Sequence, residues 1–175
     1  MNFFKFLGVI FSFLFLLPAD KTFAAILENS LELPNGKYRI TSSIDGVSRL
    51  NIDKPNKKNG GNLCIRKPDD CLSQLFDIEK KDGYYNIKCE ASNKMIDVNG
   101  ASTKVGANVQ QYTPNATDAQ NWIIIKWEEG AYSLISACNG LVMDVASGSN
   151  KEGTNVRCWE LNGTKAQKFY FERVQ

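Results

Sequence analysis

Met95-Ile96-Asp97-Val98, then Asn108-Val109-Gln110-Gln111-Tyr112, then Gln120-Asn121-Trp122: this pattern decides the fold, because it stands in two further places. The earlier copy has Asn51-Ile52, Asn62-Leu63-Cys64-Ile65-Arg66 and Gln74-Leu75-Phe76. The later one has Asp144-Val145, Asn155-Val156-Arg157-Cys158-Trp159 and Gln167-Lys168-Phe169. From the first residue to the apolar strand residue is 12 in every copy (51 to 63, 97 to 109, 144 to 156). From there to the Gln is 11 each time (63 to 74, 109 to 120, 156 to 167). The copies recur after 46 and then 47 residues, a period at which internal repeats set the architecture.

Each copy opens on a glycine turn and a strand that alternates apolar with polar. These are Lys37-Tyr38-Arg39-Ile40-Thr41 after Asn35-Gly36, Tyr85-Asn86-Ile87-Lys88 after Asp82-Gly83, and Tyr132-Ser133-Leu134-Ile135 after Gly130. Period-two alternation marks a half-buried strand. The Asp-Val strand follows, then a loop rich in Gly, Ser and Asn, the Asn-Val strand, a second polar loop and a closing strand such as Trp122-Ile123-Ile124-Ile125 or Phe169-Tyr170-Phe171. Four short strands per repeat and no helical periodicity predict a closed all-β fold of three repeats, at about 35–80, 81–127 and 128–175. Tyr85, Ile87, Ile96, Val98, Val109, Trp122 and their equivalents form the expected shared core.

The beginning of the chain has a different character. Lys5, the apolar run of 12 residues from Phe6 to Leu17 and Thr22-Phe23-Ala24 read as an export signal over 1–24, cleaved after Ala24. The run is short of the roughly 20 apolar residues of a spanning helix. Residues 25–34 are then a short lead-in to a domain over 35–175. The expected location is outside the cell, or the periplasm for a Gram-negative source, with no integral membrane association.

Formal charge is +2, which supplies no field for nucleic acid, and nothing alternates aromatic with basic residues as a single-strand platform does. Lys80-Lys81 reads as part of a turn. The chain has no His, which removes Ser-His and Cys-His catalysis, and no zinc-type Cys spacing, so neither enzyme activity nor a metal or other cofactor is expected. Five cysteines, Cys64, Cys71, Cys89, Cys138 and Cys158, cannot all pair within one chain. Two readings stand open: a Cys64–Cys71 bridge by local proximity, or small buried thiols.

With three repeats closing on Gln-x-(Trp or Phe), the chain resembles the ricin B-type lectins over Asn35 to Val174. The resemblance implies a β-trefoil of three four-stranded repeats, a six-stranded barrel capped by three hairpins, and shallow sugar pockets. Such a pocket needs a carboxylate for a vicinal diol, an aromatic face for the pyranose and amides for the remaining polar contacts. Carried over, the middle repeat offers Asp97, Gln110, Tyr112 and Gln120, with Gln110 and Tyr112 two apart on one strand face. The last offers Asp144, Arg157, Trp159 and Gln167. The first has Asn51, Cys64 and Arg66 instead, and no sugar binding is expected there.

Departures from the family pattern bear on these sites. Ser73, Ala119 and Ala166 stand where the family commonly has Asn before the Gln. The family's disulfide positions hold Met95 with Pro114 and Val142 with Leu161. Gln74, Gln120 and Gln167 persist even in the first repeat, which points to a structural role for the Gln and its aromatic. Asp97 and Asp144 also have a plain reading, as acceptors for turn amides. The sequons Asn115-Ala116-Thr117 and Asn162-Gly163-Thr164 read as turns. Asp97 and Asp144 fall on separate repeats, too far apart for a glycosidase pair. The expected function is a non-catalytic lectin that binds glycans or glycoproteins through its second and third repeats. The competing expectation is a protein-binding trefoil, a toxin's receptor-binding subunit or an enzyme inhibitor, using Lys57, Lys58, Arg66 and Lys67.

Overall fold

The computed structural model describes residues 33–53 and 58–174, so the expected export signal, the lead-in up to residue 32 and Lys57 lie outside the described residues. Six strands close into a ring: β1 (Gly36–Ser42), β4 (Phe76–Lys81), β5 (Tyr84–Cys89), β8 (Trp122–Lys126), β9 (Tyr132–Ser136) and β12 (Phe169–Val174). Each pairs antiparallel with its two neighbours, and β12 returns to β1 over six residue pairs, Lys37↔Val174 to Ser42↔Phe169. Closure leaves the barrel without a free edge. Three hairpins cap it: β2 (Arg49–Ile52) with β3 (Leu63–Arg66), β6 (Lys94–Val98) with β7 (Val109–Tyr112), and β10 (Val142–Val145) with β11 (Val156–Trp159). This is a β-trefoil of three four-stranded lobes.

The repeat explains why the ring closes with threefold regularity. The Tyr that opens each lobe faces the aromatic that ends it: Tyr38↔Phe76, Tyr85↔Trp122 and Tyr132↔Phe169. Phe76, Trp122 and Phe169 are fully buried. So are Ile52, Val98 and Val145 from the Asp-Val strands and Leu63, Val109 and Val156 from the Asn-Val strands. Each such side chain contributes about 1.5–3 kcal/mol by leaving water. Between β4 and β5, Asp82 and Gly83 both take positive φ (51° and 84°), the two-residue turn whose twist matches the strands it joins.

The caps lock to one another through backbone groups that the repeat places identically. Gly60 N donates to Gln111 O and Gln111 N to Gly61 O; Gly106 N donates to Cys158 O and Cys158 N to Ala107 O; Gly153 N donates to Ile65 O and Ile65 N to Thr154 O. At their centre lie the three Asn that begin the Asn-Val strands. Asn108 Nδ2 donates to Asn62 Oδ1 (2.9 Å) and Asn62 Nδ2 to Asn155 Oδ1 (2.8 Å).

All five cysteines are free thiols, so no Cys64–Cys71 bridge forms. Cys64 is buried on β3 with its thiol on Asn51 O, whereas Cys71 is exposed with its sulfur against Ser73 Oγ. The two lie seven positions apart in the sequence, but their side chains meet different partners.

Candidate functional sites in the second and third lobes

In each cap hairpin the first residue of the repeat pattern stands opposite the strand's polar residue: Asn51↔Cys64, Asp97↔Gln110 and Asp144↔Arg157. This register sets the chemistry. Gln110 Nε2 donates to Asp97 Oδ1 (3.0 Å), and Gln120 Nε2 donates to Oδ2 (3.0 Å). In the third lobe Arg157 Nε donates to Asp144 Oδ1 (3.1 Å) and Gln167 Nε2 to Oδ2 (3.2 Å). Asp97 and Asp144 are only 4 % and 3 % exposed. An ionised carboxylate has about four acceptor positions, so these donors orient it without exhausting it. The first lobe lacks the charge: Asn51 Oδ1 accepts from Ser73 Oγ (2.9 Å), and its amide meets the Cys64 sulfur at 3.8 Å.

The motif Gln does a second task, common to all lobes. Gln120 also donates to Thr113 O (3.0 Å) and accepts from Asn115 N (3.0 Å), spanning the loop ahead of the closing strand. Gln167 likewise donates to Glu160 O and accepts from Asn162 N and Gly163 N. Gln74 donates to Lys67 O and accepts from Asp69 N, although Asn51 stands in this lobe where the others have the aspartate. Each Gln sits at the end of a short 3₁₀ turn, Leu72–Gln74, Asp118–Gln120 or Lys165–Gln167, that leads straight into the buried aromatic.

On the outer side of the cap the aromatic residues diverge. Tyr112 is 37 % exposed, on the same strand face as Gln110. Trp159 is half-buried, and the Arg157 guanidinium lies over its ring at 3.7 Å from Cζ to centroid, so one face is covered by a cation. Arg157 and Trp159, with Asp144, Asn162, Lys165 and Ile44, line a cavity of about 470 Å³. One wall is the turn Ala146–Gly148, where Ser147 and Gly148 both take positive φ; Gly100 and Ala101 repeat that geometry beside Asp97. A non-glycine residue held there marks a backbone that its surroundings over-determine. In the first lobe Arg66, at the aromatic's position, pairs with Asp53 (2.8 Å) and Glu152 (3.4 Å).

All eight residues singled out from sequence thus lie in two clusters, four in each. Four cavity residues, Ile44, Ser147, Gly148 and Lys165, were not singled out from the sequence. Ile44 belongs to the first lobe and reaches the third lobe's cavity by folding alone. Lys165 lies two before Gln167, where the middle lobe has Asp118, and comparison of the repeats carries that signal. Asn115 and Asn162 turn their Oδ1 onto the backbone N of Thr117 and Thr164, the chemistry of a turn. Among the described residues no helix is long and apolar enough to cross a membrane.

Residues 72–159 match the family model described as ricin-type beta-trefoil lectin domain-like. No curated protein matches the chain by sequence. Among solved structures, a designed threefold-symmetric protein, ThreeFoil, is 28 % identical with a TM-score of 0.76, over 80 % of this chain and 100 % of that one. A ricin B-like lectin of Macrolepiota procera in complex with lactose is 15 % identical with a TM-score of 0.70, over 82 % of this chain and 99 % of that one. A mosquitocidal holotoxin is 18 % identical with a TM-score of 0.76, over 82 % of this chain and only 18 % of its own length.

Proposed function

The chain belongs to the ricin-type β-trefoil lectin domain-like family, whose fold supports carbohydrate binding, and we propose that it is an exported, non-catalytic lectin using its second and third lobes. The observation that carries this reading is a contrast within one molecule. Two lobes hold a pre-oriented carboxylate beside an aromatic ring, and the remaining lobe, with the same four strands and the same 3₁₀ turn before its closing strand, holds Asn51 and Arg66. Because the first lobe folds without the carboxylate, folding does not require it, and binding is the use left for it.

Asp97 accepts sugar hydroxyls through its spare acceptor positions, and Tyr112 offers a ring face. A shallow single site gives on the order of −4 to −6 kcal/mol, so useful strength comes from engaging two glycans on one surface. The test is a glycan array probed with wild type and with an Asp97→Ala/Asp144→Ala double variant. Loss of binding in the double variant is expected; equal binding by both proteins overturns the assignment of the sites.

The likeness to a mosquitocidal holotoxin supports a second reading, a module that attaches a larger secreted assembly to its target. A partner that co-purifies with this chain and stays bound in excess free sugar favours that reading over the first.

A further inference from the structure

The two carboxylate sites are built alike and charged oppositely. A shift of 47 residues superposes the third lobe's Asp144, Arg157 and Lys165 on the second lobe's Asp97, Gln110 and Asp118. The formal charge of the trio changes from −2 in the second lobe to +1 in the third. Arg157 is not needed as a cation to hold its aspartate, because neutral Gln110 does the same for Asp97 at 3.0 Å. What Arg157 adds is a fixed cationic fork. Its Nε is committed to Asp144 and its plane rests on Trp159, while Nη1 and Nη2 make no hydrogen bond among the described residues. Lys165 is exposed on the same cavity, and its side chain has no ion pair among the described residues. The nearby Asp45 carboxylate is spent on its own loop, accepting from Val47 N, Ser48 N and Ser48 Oγ.

Resting on the carbohydrate-binding reading, we propose that the third lobe takes a carboxylate-bearing sugar, its carboxylate held end-on by Arg157 and by Lys165, while the second lobe takes a neutral one. A guanidinium pre-set by stacking and by one ion pair suits a planar carboxylate through two parallel N–H···O bonds. It also covers the Trp159 face on which a neutral pyranose would otherwise stack.

The test is titration calorimetry on the purified protein with methyl β-glucuronide and a sialic acid α-methyl glycoside, each against its neutral methyl ester, and with methyl β-galactoside. The acids are expected to bind at least about tenfold tighter than their esters, and more weakly as salt rises. Arg157→Gln/Lys165→Asp, which copies the second lobe's residues, is expected to lose that preference, and Asp97→Ala to keep it. Lys165→Asp alone, at an exposed position, is expected to reduce it in the same direction and serves if the double variant misfolds. Equal binding of acid and ester, or a preference untouched in a folded variant, overturns the proposal. Galactoside binding that Asp97→Ala abolishes, with no binding of the acids, overturns this proposal and leaves the lectin reading standing. No binding of any probe overturns both.

Discussion

Gln74, Gln120 and Gln167 occupy one position in three lobes, and their hydrogen bonds separate support from recognition. Each bridges a backbone carbonyl and a backbone N–H across the same loop, and two of them also hold a carboxylate. Removing a buried amide leaves its partners unsatisfied at about 1–3 kcal/mol each. Gln74→Ala is therefore expected to lower stability by about 2–4 kcal/mol in urea unfolding, with glycan binding by the folded protein unchanged. Tyr112→Ala is expected to do the reverse, staying within about 0.5 kcal/mol of wild-type stability while weakening binding. The thiols divide similarly by environment. Burial pushes the Cys158 thiol up to about 12 and raises Cys64 and Cys89, whereas Cys71 is exposed. A thiolate is the reactive form, so at about pH 8 a maleimide titration of the native protein is expected to modify Cys71 first, with Cys64, Cys89 and Cys158 protected until unfolding.

Among the elements, the cap hairpins depend on close approach between neighbouring lobes. Gly61 packs against the Gln111 side chain, where a Cβ would lie 2.8 Å from its Nε2 and 2.9 Å from Cδ and Cγ. Gln111 is fully buried and its Nε2 donates to Lys58 O, so it has no room to withdraw. Gly61→Ala is expected to destabilise by about 1–3 kcal/mol, the usual result of overpacking. Ala107, at the equivalent place in the second lobe, shows that the position itself accepts a Cβ where the residue across from it is Cys158 and not Gln111. The same comparison of urea midpoints with Ala107→Gly, expected to change stability far less, separates the clash from backbone effects.

For the molecule as a whole, closure joins the first and last strands. The six pairs between β1 and β12 complete the ring, and Phe169 brings one of the three large buried aromatics. A chain stopped after Lys168 loses that strand and exposes the edges of β1 and β9, so it is expected to show no cooperative unfolding transition by circular dichroism. A fold that keeps only two lobes would instead retain one. Because the second and third lobes are fixed to one rigid ring, their separation is constant. Binding to a glycan-coated surface is accordingly expected to exceed single-sugar affinity by far more than the sum of two sites, and to collapse when either Asp97 or Asp144 is replaced.

The linear chain already carries the repeat and the closed all-β fold, and its resemblance to the ricin B-type lectins carries the trefoil. Fixed spacings of 12 and 11 residues oblige each lobe to place its Tyr, its Gln and its closing aromatic alike, and alternation within short strands assigns them to the core. The resemblance names Asp97 with Tyr112 and Asp144 with Trp159, and the hairpin register adds that Asp97 stands opposite Gln110 and Asp144 opposite Arg157. Contacts between lobes are different in kind. The triangle of Asn62, Asn108 and Asn155 and the arrival of Ile44 at the third lobe's cavity depend on closing loops across the whole ring. The stacking of Arg157 on Trp159 is local to one strand, but only the side-chain conformations show it, and it turns an expected bare platform into a cationic one. Local spacing says which residues share a strand face; only packing in three dimensions says what lies over them.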